Sequence, residues 1–112
     1  MCSREQALDI LDEVYEAYSR LYPVRDAYLY GSYARGDYHA ESDVDILLTI
    51  DAGPEEIRRQ RRTAAAIVSG LCLRHGVTIS VAAKPLAQFT RYADILPYYQ
   101  NVVKEGVRHG AP

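Results

Sequence analysis

The chain has no tryptophan, a single phenylalanine, a single methionine and only two cysteines, Cys2 and Cys72. Two cysteines so far apart make neither a disulfide framework nor a zinc site. Cys72, inside an apolar run, reads as a small core residue. No apolar run approaches the ~20 residues that span a bilayer, and the N-terminus carries no signal-peptide pattern. The expectation is a soluble cytoplasmic protein with no membrane partner. Excess positive charge is also missing. A net charge of −2 gives no general attraction to a polyanion, so nucleic acid is not an expected partner. Tyrosine takes the place of the absent aromatics, ten of them in 112 residues, which suits half-buried rings whose hydroxyls reach water or a partner. Residues 1–112 are expected to form one domain, a size that buries roughly two-thirds of the unfolded chain's surface.

Hydrophobic periodicity divides the chain into helices and strands. Leu8, Leu11, Val14, Tyr15, Tyr18, Leu21 and Tyr22 recur at three- and four-residue steps, predicting an amphipathic helix over residues 4–21 that Ser3 and Gln6 open as a capping box and Pro23 ends. Val24 to Tyr30 and Val44 to Ile50 read as strands. Glu55 to Leu73 reads as the longest helix, with Ile57, Ala64, Ile67, Val68 and Leu71 on its apolar face, an i,i+4 pair Glu55–Arg59, and His75-Gly76 at its close. Val77 to Ala83 reads as a third strand, Lys84-Pro85 as a turn, Leu86 to Tyr92 as a short helix or loop, and Asp94 to Lys104 as a last helix admitting Pro97 in its first turn. Arg108 to Pro112 are expected to fray. The fold class is α/β of the α+β kind, a small mixed sheet of three to four strands flanked by helices.

Two charge features need a reading. Arg58, Arg59, Arg61 and Arg62 crowd what this pattern makes the start of the long helix, where they oppose the macrodipole. They form a solvated face balanced by Glu55 and Glu56, or a dock for an acidic partner; with no aromatic interleaved, RNA is the weakest of the three readings. Tyr98-Tyr99 is a second candidate docking surface. His39, alone in a polar loop, reads as a solvated residue before it reads as a phosphate contact or base.

The chemistry concentrates between the first two strands, in Gly31-Ser32-Tyr33-Ala34-Arg35-Gly36 and Ser42-Asp43-Val44-Asp45. Strand side chains alternate, so Asp43 and Asp45 point one way while Val44, Ile46, Leu48 and Ile50 point into a core. Paired carboxylates repel unless compensated, and a hard divalent cation, Mg²⁺ or Mn²⁺, is the usual compensation. Gly31 admits a close ligand, and a helical turn over Ser32 to Arg35, broken by Gly36, would aim free N–H groups and the Ser32 hydroxyl at an anion. A phosphate cradle beside a metal clamp is what a metal–nucleoside triphosphate requires. Arg35 could reach a phosphate bidentately, or lock a nearby carboxylate and brace the loop. Tyr33 is expected to face solvent or a partner.

Gly31-Ser32, ten residues, then Asp43-x-Asp45 resembles the G-S-x10-D-x-D signature of the DNA polymerase β-like nucleotidyltransferase superfamily. The fuller form, with Ala34-Arg35-Gly36 and Ser42 and with the ending Asp94 to Gly106, resembles the minimal nucleotidyltransferases of prokaryotes, many of which are antitoxin partners of HEPN-domain toxins. The resemblance implies the polymerase β-like fold and transfer of AMP from ATP to a hydroxyl, with Mg²⁺ or Mn²⁺ as cofactor. It implies Asp43 and Asp45 as catalytic residues and metal ligands, and Gly31, Ser32, Arg35, Gly36 and Ser42 around the nucleotide. It also implies a helical HEPN-type partner, a tyrosine of which is the acceptor, in a hetero-oligomer. Active members carry a third carboxylate on the strand after the long helix. Here that position falls on Gly76 or Ser80, and period two favours Ser80 for the face of the site; Asp94 could substitute from the next segment. Two functions follow from this: an active transferase, or a degenerate relative that neutralises its partner by complex formation alone.

Overall fold

The computed structural model describes residues 2–110. Helix α1 (Arg4–Ser19) begins where Ser3 Oγ accepts from the Gln6 N–H at 3.0 Å, and it buries Ala7, Ile10, Leu11, Val14 and Tyr18. Only half of the capping box forms. The Gln6 side-chain amide turns away to the imidazole Nδ1 of His75, 3.2 Å away, and ties α1 to the end of a later helix.

Strands β1 (Val24–Tyr30) and β2 (Val44–Ile50) pair antiparallel; β3 (Ile79–Pro85) joins β2 in parallel. A two-residue strand β4 (Val107–Arg108) adds to the far side of β1, so the mixed sheet runs β3-β2-β1-β4. Between β1 and β2 lies one helical turn, α2 (Ser32–Arg35); α5 (Leu86–Tyr92) and α6 (Pro97–Glu105) follow β3.

The sheet has two cores. Val44, Ile46, Leu48 and Ile50 are fully buried against α1 and its neighbours, as alternation predicts. Leu47 is equally buried on the opposite face, where it meets Phe89, Tyr99 and Val102 of α5 and α6. A strand covered on both faces reads as a near-continuous apolar run, which is why Ile46-Leu47-Leu48 does not alternate.

The structure corrects several expectations. The long helix is two helices, α3 (Pro54–Arg59) and α4 (Arg61–His75), interrupted at Gln60. The Tyr22 hydroxyl donates to the Ile57 carbonyl at 2.8 Å, taking the acceptor that the Arg61 N–H would use in a continuous helix. Neither Gly nor Pro marks the break, so periodicity runs through it; α1, with 16 residues, is longer than either part. Arg58 and Arg59 consequently lie in the last turn of α3, where cations favour the macrodipole, and Glu55 pairs with Arg58 at 3.4 Å rather than with Arg59. Lys84-Pro85 is not a turn but the end of β3, and β3 begins at Ile79 rather than Val77. Pro85 is tolerated because β3 is an edge strand.

Arg108 and His109 are not frayed. Arg108 pairs with Tyr28, the His109 N–H donates to the Ala27 carbonyl at 2.8 Å, and the His109 ring stacks on Tyr15 with centroids 4.1 Å apart. Residues 111 and 112 lie outside the described residues.

Candidate active site

Gly31 ends β1 with φ 77° and ψ −154°, a region that is essentially glycine-only. A Cβ built there would stand 2.7 Å from Asp45 Oδ2. Strand β2 thus delivers a carboxylate directly against the backbone of the turn. From Gly31 the chain enters α2: its carbonyl accepts from the N–H groups of Ala34 and Arg35, both at 3.1 Å, and the Gly36 N–H returns to the Ser32 carbonyl at 2.8 Å. Gly36, at φ 88°, is the left-handed residue that stops the turn. Among the described residues the N–H groups of Ser32 and Tyr33 donate to no protein acceptor, as expected at the start of a helical turn.

Tyr33 contradicts the sequence reading. It faces inward, is fully buried, stacks on Tyr38 at 4.4 Å and donates its hydroxyl to the Cys2 carbonyl at 3.2 Å. Burial pushes its phenol up to about 12, so it stays a neutral donor at any ordinary pH. The side chain is the anchor that seats the turn on α1, and a motif position between two small residues gave no sign of that.

Asp43 is exposed at the threshold of β2 and Asp45 is half-buried within it. The Asp45 carboxyl is raised above its ordinary range, first by burial and then by Asp43; Arg35 opposes the rise. The guanidinium of Arg35 is held by Asp37, with Nε 3.2 Å from Oδ2, and by Glu105 of α6, at 3.7 Å, so it braces α2 against α6. The Ser42 hydroxyl accepts from the His39 N–H at 2.9 Å and closes the loop between α2 and β2. Nδ1 of the exposed His39 accepts from the Glu41 N–H at 3.2 Å. The structure therefore brings together Gly31, Ser32, Asp43 and Asp45, whereas Arg35, Gly36 and Ser42 act on the shape of the loops around them.

Across the sheet, Asp45 pairs with Tyr30 of β1 on one side and with Ser80 of β3 on the other. Ser80 is thus the neighbour that period two favoured. Gly76 caps α4 at φ 64°, outside the sheet. Asp94 is exposed, and its carbonyl accepts from the Gln100 side chain at 2.6 Å. Among the described residues no three acidic, histidine or cysteine side chains are close enough to hold a metal ion. The pair Asp43 and Asp45 fits a smaller role. Mg²⁺ is commonly bound through one or two carboxylates with substrate phosphates and waters completing its shell, and the Gly31 cradle would be filled by any side chain.

Tyr30 carries no signal of its own in the sequence, and of the tyrosine pair on α6 only Tyr98 stays exposed. Tyr30 shares a hydrogen bond with Tyr98, with the hydroxyls 2.9 Å apart. Tyr99 is no docking surface: it is buried in the second core. A separate cleft of about 640 Å³, lined by Tyr18, Tyr22, Ile57, Arg58, Arg61 and Lys84, holds neither aspartate.

A Gly-Ser turn set against paired aspartates on a mixed sheet defines a nucleotidyltransferase. The chain belongs to the nucleotidyltransferase domain family, whose model matches residues 11–108. Over 83 residues it is 31% identical to "Putative protein adenylyltransferase MJ0604" of Methanocaldococcus jannaschii, covering 74% of this chain and 75% of that one. Over 52 residues it is 40% identical to a second protein of that name and organism, MJ0141, covering 46% of this chain and half of that one. Its fold is similar to those of two mutant forms of the toxin-antitoxin MntA-HpeT. One has TM-score 0.55 at 15% identity, covering 91% of this chain and 70% of that chain. The other has TM-score 0.57 at 18% identity, covering 93% and 71%.

Proposed function

We propose that the protein transfers a nucleoside monophosphate, AMP from ATP, to a hydroxyl acceptor on a partner protein. The observation that carries this reading is the approach of Asp45 to the Gly31 backbone, 2.7 Å from where a side chain would begin. It sets a carboxylate pair beside free N–H groups and the Ser32 hydroxyl. Ser32 and the N–H groups of the turn would take the phosphates. Asp43 and Asp45 would hold Mg²⁺ or Mn²⁺, which when bound offsets the charge of the triphosphate. The acceptor oxygen bonds to the α-phosphorus as the bond to pyrophosphate breaks, and the acceptor proton passes to solvent, since among the described residues no third carboxylate joins Asp43 and Asp45. The relative named as a protein adenylyltransferase supports AMP as the group and protein as the acceptor. The resemblance to antitoxin nucleotidyltransferases, with the fold shared with MntA-HpeT, supports a HEPN-type toxin as partner, with a tyrosine as the acceptor.

The test is incubation with ATP labelled at the α-phosphate, Mg²⁺ and candidate partner proteins. Label on a partner hydroxyl supports the reading, and its absence at every partner overturns the transferase. Ser80→Asp should raise the rate. It places a third carboxylate in register with Asp45, and a general base is worth ~10²–10⁴-fold; an increase of at least ~10-fold in labelling is expected.

One observation favours a second reading. With Ser80 where the family resemblance implies an acid in active members, the protein could neutralise its partner by binding alone. Complex formation unaffected by Asp43→Asn and Asp45→Asn, with no label transferred, would identify that case. Arg58 and Arg61, exposed on the rim of the cleft away from the aspartates, are the docking residues to reverse in charge.

A further inference from the structure

Tyr30, Asp45 and Ser80 form a row across three strands. Paired residues on neighbouring strands share a face, about 4.8 Å apart. The two flanks of Asp45 are therefore different in kind. On the β3 flank stands a small hydroxyl. On the β1 flank stands a tyrosine that leads directly into Gly31 and Ser32, so an anion seated on the turn has the Tyr30 side of the site as its wall.

That wall continues onto α6. The Tyr98 ring meets the Tyr30 ring edge-on, with centroids 5.7 Å apart and planes at 71°, and their hydroxyls are 2.9 Å apart. Tyr98 is held from behind as well. It packs on Tyr99 at 5.4 Å; Tyr99 packs on Phe89 at 5.0 Å and accepts at its hydroxyl from the Gln88 side chain at 3.1 Å. Tyr99 is 2% exposed, whereas Tyr98 is 41% exposed. The molecule thus fixes an aromatic ring in place through a buried neighbour and a hydroxyl pair, yet leaves much of it open, against the tyrosine that immediately precedes the Gly31 turn.

We propose that Tyr98, braced by Tyr30, is the surface on which the base of a bound nucleoside triphosphate stacks. This rests on the nucleotide reading of the Gly31 and Asp45 site. It assigns Tyr98 a positioning role and Tyr30 the role of orienting it. Base–aromatic stacking tolerates any base because every base has a π-face, so the contribution is one of affinity and placement.

The test is calorimetry on the full chain with two probes, Mg·ATP and Mg·tripolyphosphate, which share the phosphates and differ in the nucleoside. Tyr98→Ala should weaken ATP about tenfold and leave tripolyphosphate unchanged. Tyr98→Phe, which keeps the ring, should retain ATP affinity within about twofold. In the transfer assay Tyr98→Ala should raise KM for ATP and spare kcat. Unchanged ATP affinity in Tyr98→Ala, or equal losses for both probes, would overturn the stacking role alone. A wild-type protein that binds neither probe would overturn the nucleotide reading, and this inference with it.

Discussion

Asp43→Asn combined with Asp45→Asn should abolish transfer while making the protein more stable. The loss follows from charge. Offsetting a developing pentavalent phosphate is worth several kcal/mol, and each ~1.4 kcal/mol is tenfold in rate, so a fall of ~10³-fold or more is expected. The gain in stability follows from Asp45. Its carboxyl is raised in the folded protein, chiefly by burial and then by Asp43. A raised pKa means that the stability it contributes is complete below the ordinary carboxylate range and is lost as the pH climbs through the folded value. Asparagine is neutral throughout. Asp45→Asn should therefore raise the urea midpoint at neutral pH, and the difference from wild type should vanish in acid. Urea titrations across that range, without divalent cation, read the sign directly. A variant less stable at neutral pH would mean that Asp45 holds the fold together rather than serving a ligand at the fold's expense.

Gly31→Ala is the second large effect, and it should damage both stability and function. The conformation at φ 77° and ψ −154° costs a non-glycine residue about 1–3 kcal/mol. The new Cβ would also press on Asp45 Oδ2 at 2.7 Å, so the carboxylate must move. A destabilisation of about 2–4 kcal/mol is expected from strain and contact together. Asp45→Ala in the Gly31→Ala background should recover the contact part and leave the backbone part, which a double-mutant cycle separates. Gly36→Ala should cost less, because its left-handed φ of 88° is strained for alanine but nothing lies within 4 Å of the added carbon.

Much of this was legible in the residues, for identifiable reasons. Alternation placed Asp43 and Asp45 on one face and Val44, Ile46, Leu48 and Ile50 in a core; Gly36 marked the end of α2 and Gly76 the end of α4. These are local signals, set by backbone geometry within a few residues. What escaped depends on distant partners. Leu47 is buried because α5 and α6, distant in the chain, cover the second face. Tyr33 is buried because the Cys2 carbonyl waits for its hydroxyl. The long helix divides where Tyr22, in the connection between α1 and β1, takes the Ile57 carbonyl. Tyr30 could have been found: antiparallel pairing of β1 with β2 around the loop sets it opposite Asp45, given the register. The contact of Tyr98 with Tyr30 could not, since nothing local to α6 points at β1.

On the function proposed above, Asp43, Asp45 and the Gly31-Ser32 turn form one site for a metal–nucleoside triphosphate. This is tested most directly by titrating the wild-type protein with ATP in the presence and absence of Mg²⁺, beside the Asp43→Asn/Asp45→Asn variant. Binding that requires Mg²⁺ and is lost in the folded variant is expected. Binding of equal strength without Mg²⁺, or in the variant, would contradict it.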